Sequence, residues 1–402
     1  MSCRGKEKAR APQRPWLWGP MVLLALSLVV CASAGRQAAL AAERPAGEPR
    51  ARIAVFPVEN LTGKAAPLGE IRALLIERLG RYGIGVLDDG TLDRVFTKGR
   101  IRYTAGVDRG IAKALGEDTG AEGILIPTLE LFEETNPPKV ALFCRMVSTG
   151  DDPRVVWIDG TGMAGDDSPG ILDLRLVENP WVLLTQAVES LARSLAQARP
   201  GHGVSPGGES PARKFFPKIV YRSEVVDPAK TYSVAAVPFF NKSERKYAGE
   251  IVALHMIRNL STFQNLAVVE PGVVREELLR YRIIMSDGIS LPQTETILNA
   301  VDADLVLNGE VLEYQDYPGS VGNAKVDFSV LFLERRTGKV VYSSYSQNQS
   351  SDGVVLFDWG RVNTAHAMAA QMVRAIGERM LAQGARAQVR KGPTGQRGTT
   401  PR

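Results

Sequence analysis

The sequence predicts an α/β fold consisting of two tandem copies of a mixed β-sheet flanked by helices. Three observations carry this reading. Four short blocks recur in the same order, at a spacing of about 180 to 190 residues. Each copy alternates apolar β-branched runs with stretches of helical period. A Gly, Pro and Ser-rich stretch that cannot build a core separates them.

The first block, Ile53-Ala54-Val55-Phe56-Pro57-Val58-Glu59-Asn60, returns as Val234-Ala235-Ala236-Val237-Pro238-Phe239-Phe240-Asn241. It reads as a buried strand (53–58; 234–240) that Pro ends and Asn turns. Gly69-Glu70-Ile71 returns as Gly249-Glu250-Ile251 and opens a helix. Ile71, Leu74, Leu75 and Leu79 share one face of that helix, with Ile251, Leu254, His255 and Met256 in the second copy. A short strand follows (84–87; 266–269), then one or two helices. Ala121-Glu122-Gly123-Ile124-Leu125 and Ala303-Asp304-Leu305-Val306-Leu307 begin the next strand. Two further strands form a hairpin closed at Thr149-Gly150 and at Arg336-Thr337-Gly338. Val155-Val156-Trp157 and Val340-Val341-Tyr342 stand just after those turns. A final helix places Trp181, Leu184, Val188, Leu191 and Leu195 on one stripe. Its counterpart aligns Val362, His366, Ala369, Val373, Ile376 and Met380.

These patterns divide the chain into a first α/β domain (51–197), a linker (198–232) and a second domain (233–383). The linker's 216–232 part reads as a lead-in to the second domain. Residues 35–50 and the basic tail 384–402 have the composition of disordered segments.

Residues 1–34 read as an export signal. Arg4, Lys6, Lys8, Arg10 and Arg14 form a basic region, Met21 to Cys31 an apolar one, and Ala32-Ser33-Ala34 a small-x-small cleavage site. Two alternatives stay open. Trp16 to Ala34 is long enough for an uncleaved anchor, with Pro20 interrupting it. Leu28-Val29-Val30-Cys31 resembles a lipobox, making Cys31 the lipidation candidate, although Val30 stands where Gly, Ala or Ser is usual. Cleavage after Ala34 leaves Cys144 as the single thiol, so no internal disulfide forms. Cys144 lies in an apolar strand-like run and reads as a small buried hydrophobe.

Net charge is +5, but its distribution excludes a nucleic-acid module. Five basic residues against one acidic in 1–34, and five basic residues in 384–402, leave the folded middle at about −4.

No catalytic, cofactor or metal residues emerge from the pattern. Gly160-Thr161-Gly162-Met163-Ala164-Gly165 spells a dinucleotide motif, but it runs into Asp166-Asp167, and Ser343 to Ser351 in the second copy has no glycine. His255 stands where the first copy has Leu75 and His366 is set against Val188, so both read as core positions. His202 falls in the linker. The paired acids Asp88-Asp89, Glu133-Glu134, Asp151-Asp152 and Asp166-Asp167 fall at turns and strand ends.

The Ile-Ala-Val-Phe-Pro-Val-x-Asn strand, the Gly-Glu-led helix and the Ala-acidic-x-hydrophobic strand together resemble a family of bacterial envelope domains. Its members include CsgG, the lipoprotein activators of penicillin-binding proteins, and the TolB amino-terminal domain. The resemblance covers both units and implies a TolB-N/CsgG-like fold in an exported protein that binds other envelope proteins, including outer-membrane or peptidoglycan machinery. No long alternating strand pair for a transmembrane barrel is present, which departs from the pore-forming member. The expected function is that of a non-enzymatic scaffold or accessory factor, in the periplasm or anchored facing it. The alternative is a periplasmic small-ligand receptor with its site between the two domains.

Overall fold

The computed structural model describes residues 50–167, 176–198, 215–223, 230–283, 299–319, 322–352 and 361–381, with Thr296 and Val354. The segment read as an export signal, with Cys31, most of the linker and the basic tail, lies outside the described residues.

The first copy runs β1 (Arg50–Val55), β2 (Glu59–Asn60), α1 (Leu68–Arg81), β3 (Ile84–Val86), α2 (Asp89–Gly99), α3 (Arg109–Thr119), β4 (Gly123–Glu133), β5 (Lys139–Ser148), β6 (Val155–Ala164) and α4 (Pro180–Gln197). The second runs β7 (Ile219–Arg222), β8 (Tyr232–Ala236), β9 (Phe240–Asn241), α5 (Ala248–Leu260), β10 (Leu266–Val268), α6 (Pro271–Arg280), β11 (Leu305–Gln315), β12 (Lys325–Glu334), β13 (Val340–Gln349) and α7 (Ala365–Leu381). Each copy builds its own mixed sheet, in the order β3-β1-β4-β5-β6 and β10-β8-β11-β12-β13-β7. β1 runs parallel to both β3 and β4, because helices return the chain to the same edge; β4, β5 and β6 alternate in direction through short turns. The fold class predicted from the sequence is the one observed. β7, from the lead-in segment, pairs antiparallel with β13 at the edge of the second sheet.

Local chemistry explains the boundaries. Pro57 and Pro238, which have no backbone N–H to donate, each follow a strand end closely. Asn60 then organises the turn: Oδ1 accepts from Thr62 N at 3.0 Å and Nδ2 donates to Lys64 O at 2.7 Å. Asn241 repeats this with Ser243 N at 3.0 Å and Arg245 O at 2.8 Å. Asp88 and Asp108 cap α2 and α3 by accepting from Thr91 N and Ile111 N, both at 2.8 Å. The Thr91 contacts hold the Asp88 carboxyl below its ordinary range.

Among the described residues the core divides into four apolar clusters. One face of the first sheet packs Val55, Leu125, Leu142 and Cys144 against Ile71, Leu75 and Leu79 of α1 and Leu184, Val188 and Leu191 of α4. The other face packs Ala54, Ile124, Ile126 and Val147 under α2 and α3. Each fully buried Leu or Ile contributes about 1.5–3 kcal/mol, so each stripe outweighs any single hydrogen bond in holding its helix. A smaller cluster seats α6 on the second sheet.

The fourth cluster joins the copies. It packs the second sheet against α5 and α7 and also includes Leu61, Phe143 and Ile158 of the first copy. Both sheets belong to one compact unit. The helices α5 and α7 therefore contact the second sheet on one side and β6 of the first sheet on the other. Sequence composition accounts for this. α1 buries Ile71, Leu75 and Leu79 only, whereas α5 buries eleven residues, from Ala248 to Leu260. A helix that is apolar all round needs neighbours on all sides.

The outer face of the second sheet differs from the matching face of the first. By strand register, the positions of Phe143 and Ile158 are taken by Ser329 and Ser343, neither of them fully buried. Polar residues there suit a face that ends a stack.

Candidate functional site

The seam between the copies holds a group of buried polar side chains, centred on Glu130. The residue sits in β4 at a register shift between Leu129 and Leu131, and β11 has the matching shift between Val311 and Glu313. A bulge frees one side chain from the alternating pattern. In the first copy that side chain is Glu130, fully buried; in the second it is Leu312, 42% exposed. The usual preference is reversed at both positions, because only the first copy's bulge faces the seam.

Three residues of the second copy converge on Glu130. His366 Nδ1 lies 2.6 Å from Oε2, and the Tyr314 hydroxyl donates to Oε1 at 2.5 Å. His255 Nε2 lies 3.9 Å from Oε2 and 3.5 Å from the Tyr314 oxygen. The two imidazole centroids lie 4.5 Å apart with the rings tilted by 59°, each 4.8 Å from the Phe143 ring. Burial, with His366 and Arg258 adding to it, holds the His255 imidazole well below its ordinary range and keeps it neutral. Burial also pushes the Tyr314 phenol well above its range, helped by Glu130 and Asp316, so it remains a donor. His255 Nδ1 and His366 Nε2 have no hydrogen-bond partner, so the polar contacts of both rings are to this cluster.

The sequence places these histidines inside, and both are buried. One equivalence needs correction. His366 stands in the first turn of α7, where α4 has Trp181, and not opposite Val188. The buried positions Leu183, Leu184, Val188 and Leu191 match Met368, Ala369, Val373 and Ile376, which fixes the register. By the strand register Tyr314 matches Phe132, and Phe132 makes an edge contact with Trp181 at 6.0 Å. The aromatic pair of the first copy is thus a hydroxyl and imidazole pair in the second, and Leu75 is His255 there.

The glycines of the 160–165 motif serve this packing. Gly160 and Gly162 lie within β6, paired with β5, and not in a loop before a helix. A Cβ on Gly160 would fall 2.5 Å from the Phe143 ring, and one on Gly162 2.8 Å from His366. One on Gly165 would meet Val177 O at 2.1 Å. Their absent side chains let α7 and the following loop approach the strand.

Ion pairs flank the cluster. Arg258 of α5 donates to Asp159 of β6 from Nε at 2.9 Å and Nη2 at 2.8 Å, and Ser194 of α4 donates to the same carboxylate at 2.5 Å. Arg145 of β5 reaches Glu270 at 3.3 Å and 3.4 Å and donates to Ala105 O at 2.5 Å. Burial opposes the Arg145 charge, but Glu270 and Glu59 outweigh it and hold the guanidinium above its ordinary range. Arg245, in the loop closed by Asn241, donates to the carbonyls of Thr62 at 3.0 Å and Glu130 at 2.5 Å. Asn363 donates to Asp166 and Asp167 at 3.2 Å and 3.1 Å. Asp167 is pushed up to about 6 by burial.

The remaining acidic pairs do structural work. Asp89 binds Arg72 at 2.7 Å, Asp151 binds Lys113 at 2.9 Å, and Glu133 receives Thr135 at 2.8 Å. Cys144 is buried, and burial pushes its thiol far up, away from nucleophilic use. No helix among the described residues is long and apolar enough to cross a membrane.

Among the described residues three cavities touch both copies. One, of about 110 Å³, is bordered by Glu59, Tyr103, Arg145, Glu250 and Leu254. A second, an open groove of about 470 Å³, runs between Arg100, Tyr103 and Asp108 of the first copy and Gly272, Arg275 and Glu276 of the second. The third is an open groove of about 660 Å³ between Lys64, Glu133 and Lys139 on one side and Lys242, Arg245 and Asp316 on the other. Its cations are engaged: Lys64 with Glu133, Lys139 with Tyr317 O at 2.7 Å, Lys242 with Glu310.

No protein-family model matches the sequence, and no curated protein matches it. Among solved structures, a PelC dodecamer from Paraburkholderia phytofirmans is 18% identical over 39% of this chain and 94% of its own, with a TM-score of 0.28. Lipoprotein GNA1162 from Neisseria meningitidis is 17% identical over 37% of this chain and 100% of its own, at 0.27. The LpoB C-terminal domain from Escherichia coli is 13% identical over 31% of this chain and 87% of its own, at 0.24. At these scores the likeness carries no argument about function.

Proposed function

We propose that this chain is a non-enzymatic scaffold or accessory protein of the cell envelope, exported by its N-terminal segment, in which two α/β copies act as one rigid body. The observation that carries the reading is the seam. Its titratable groups Glu130, Arg145, Asp159, His255, Glu270 and His366 are at most 4% exposed, so they hold the copies together and do not face a substrate. A receptor that closes on a solute needs a separable interface and a cavity of about 300 Å³ or more. The 110 Å³ cavity here is smaller, the 470 Å³ and 660 Å³ ones are open surface grooves, and the buried ion pairs oppose opening.

The test is crosslinking of the full chain in intact cell envelopes, followed by affinity capture. Enrichment of one envelope protein or assembly is expected, lost when surface residues outside the seam are changed. Recovery of no protein partner, together with a specific rise in melting temperature on adding a sugar, amino acid or peptidoglycan fragment, would establish the receptor reading instead.

A further inference from the structure

We propose that Glu130, His255, His366 and Tyr314 form a closed binding site for one divalent transition-metal ion of the zinc class, joining the two copies. This goes beyond the scaffold reading and does not depend on it. The donor set is two imidazoles and a carboxylate, all at most 2% exposed, with ligating atoms within 4.8 Å of one another. Imidazole nitrogen with carboxylate oxygen is a zinc-type donor set, and Tyr314 oxygen supplies a fourth corner. In a tetrahedral site with bonds of about 2.1 Å the donors stand about 3.4 Å apart. The separations between proposed donors, 2.6 Å for Glu130 Oε2 to His366 Nδ1, 3.5 Å for His255 Nε2 to the Tyr314 oxygen and 3.9 Å for His255 Nε2 to Oε2, lie on both sides of that value. Shifts of about 1 Å or less would seat an ion among them. Tyr314 keeps its proton, donated to Glu130 Oε1, and offers its oxygen lone pair, while Oε2, His255 Nε2 and His366 Nδ1 turn to the metal, the ring protons residing on the outer nitrogens His255 Nδ1 and His366 Nε2.

Charge supplies an independent reason. Three other buried carboxylates of the seam each have a guanidinium: Asp159 has Arg258, Glu270 has Arg145, and Glu277 has Arg109. Among the described residues Glu130 has ion pairs with the two histidines and with no lysine or arginine. A buried carboxylate without a full cation is costly, and a metal ion provides one. The first copy shows that the fold does not require these groups, since Leu75, Trp181 and Phe132 hold the matching positions there.

The experiment uses the full chain without an affinity tag, stripped with chelator and then dialysed against Zn²⁺ or Co²⁺. Elemental analysis should give one ion per chain, with the visible absorption of tetrahedral Co²⁺ and a higher melting temperature than the stripped protein. Glu130→Gln keeps the shape and one acceptor oxygen but loses the anionic ligand, and His255→Leu installs the first copy's residue. Each should weaken binding more than tenfold, with circular dichroism unchanged. His202→Ala, which removes the third histidine, should leave binding intact. Background metal in the folded wild type after loading, or equal binding by Glu130→Gln and His255→Leu, overturns the site. If the variants do not fold, stoichiometry and the Co²⁺ spectrum of the wild type decide alone.

Discussion

Glu130 and His366 lie 2.6 Å apart, both without solvent exposure, although 236 residues separate them. One belongs to a bulge in the first sheet and the other to the first turn of the last helix. Their contact forms only when the two copies dock, so it reports on the seam and not on either fold alone.

Glu130→Ala removes the acceptor for both His366 and Tyr314 inside a dry interface. It should destabilise the chain by about 3 kcal/mol in urea unfolding. Leu312→Ala, at the matching bulge of the exposed copy, should change stability by less than about 0.5 kcal/mol. Equal effects would mean that the seam is not formed in solution.

Gly162→Ala places a methyl 2.8 Å from His366, in a strand that cannot retreat without losing its pairing with β5. A loss of about 1–3 kcal/mol is expected. The double variant with His366→Ala should lose less than the sum of the two single changes. Gly69→Ala, with nothing within 4 Å, should be neutral or stabilising by up to about 1 kcal/mol. Thermal unfolding of the four proteins checks the set.

Arg258→Leu leaves Asp159 without its guanidinium, and breaking such a buried pair costs about 3–5 kcal/mol. Arg78, the matching helix residue of the first copy, bonds Glu189 on the outer surface, where both partners are partly exposed. Arg78→Leu should cost under about 1 kcal/mol. Denaturant midpoints compared at constant slope separate the two.

Asp316 accepts from Ala365 N at 2.7 Å at the start of α7, and burial pushes its carboxyl up to about 6. The folded chain then holds a proton that the unfolded chain releases near its ordinary value of 3.8. The stabilisation is fully present below that value and is lost as pH rises through about 6. Two units correspond to about 3 kcal/mol. Asp316→Asn keeps the cap acceptor and removes the titration. The drop in stability from pH 4 to pH 7 should therefore be smaller by about that amount in the variant than in the wild type.

The repeat, the order of strands and helices, the two hairpins and the Asn turns were legible in the sequence, because periodicity and turn chemistry are local. The burial of His255 and His366 was legible for the same reason. The all-round apolar face of α5, against the single stripe of α1, was a further signal that this helix is covered on more than one side. Docking itself was not legible. Helical spacing says that a residue points inward, but not whether it meets its own sheet or the neighbouring copy's. Nothing in the sequence singles out Glu130, and Gly160 and Gly162 spell a fragment of a dinucleotide motif. Only the tertiary structure decided that these residues share one buried seam, since buried charges and hydrogen-bonding groups take their partners from whatever surface the packing brings to them.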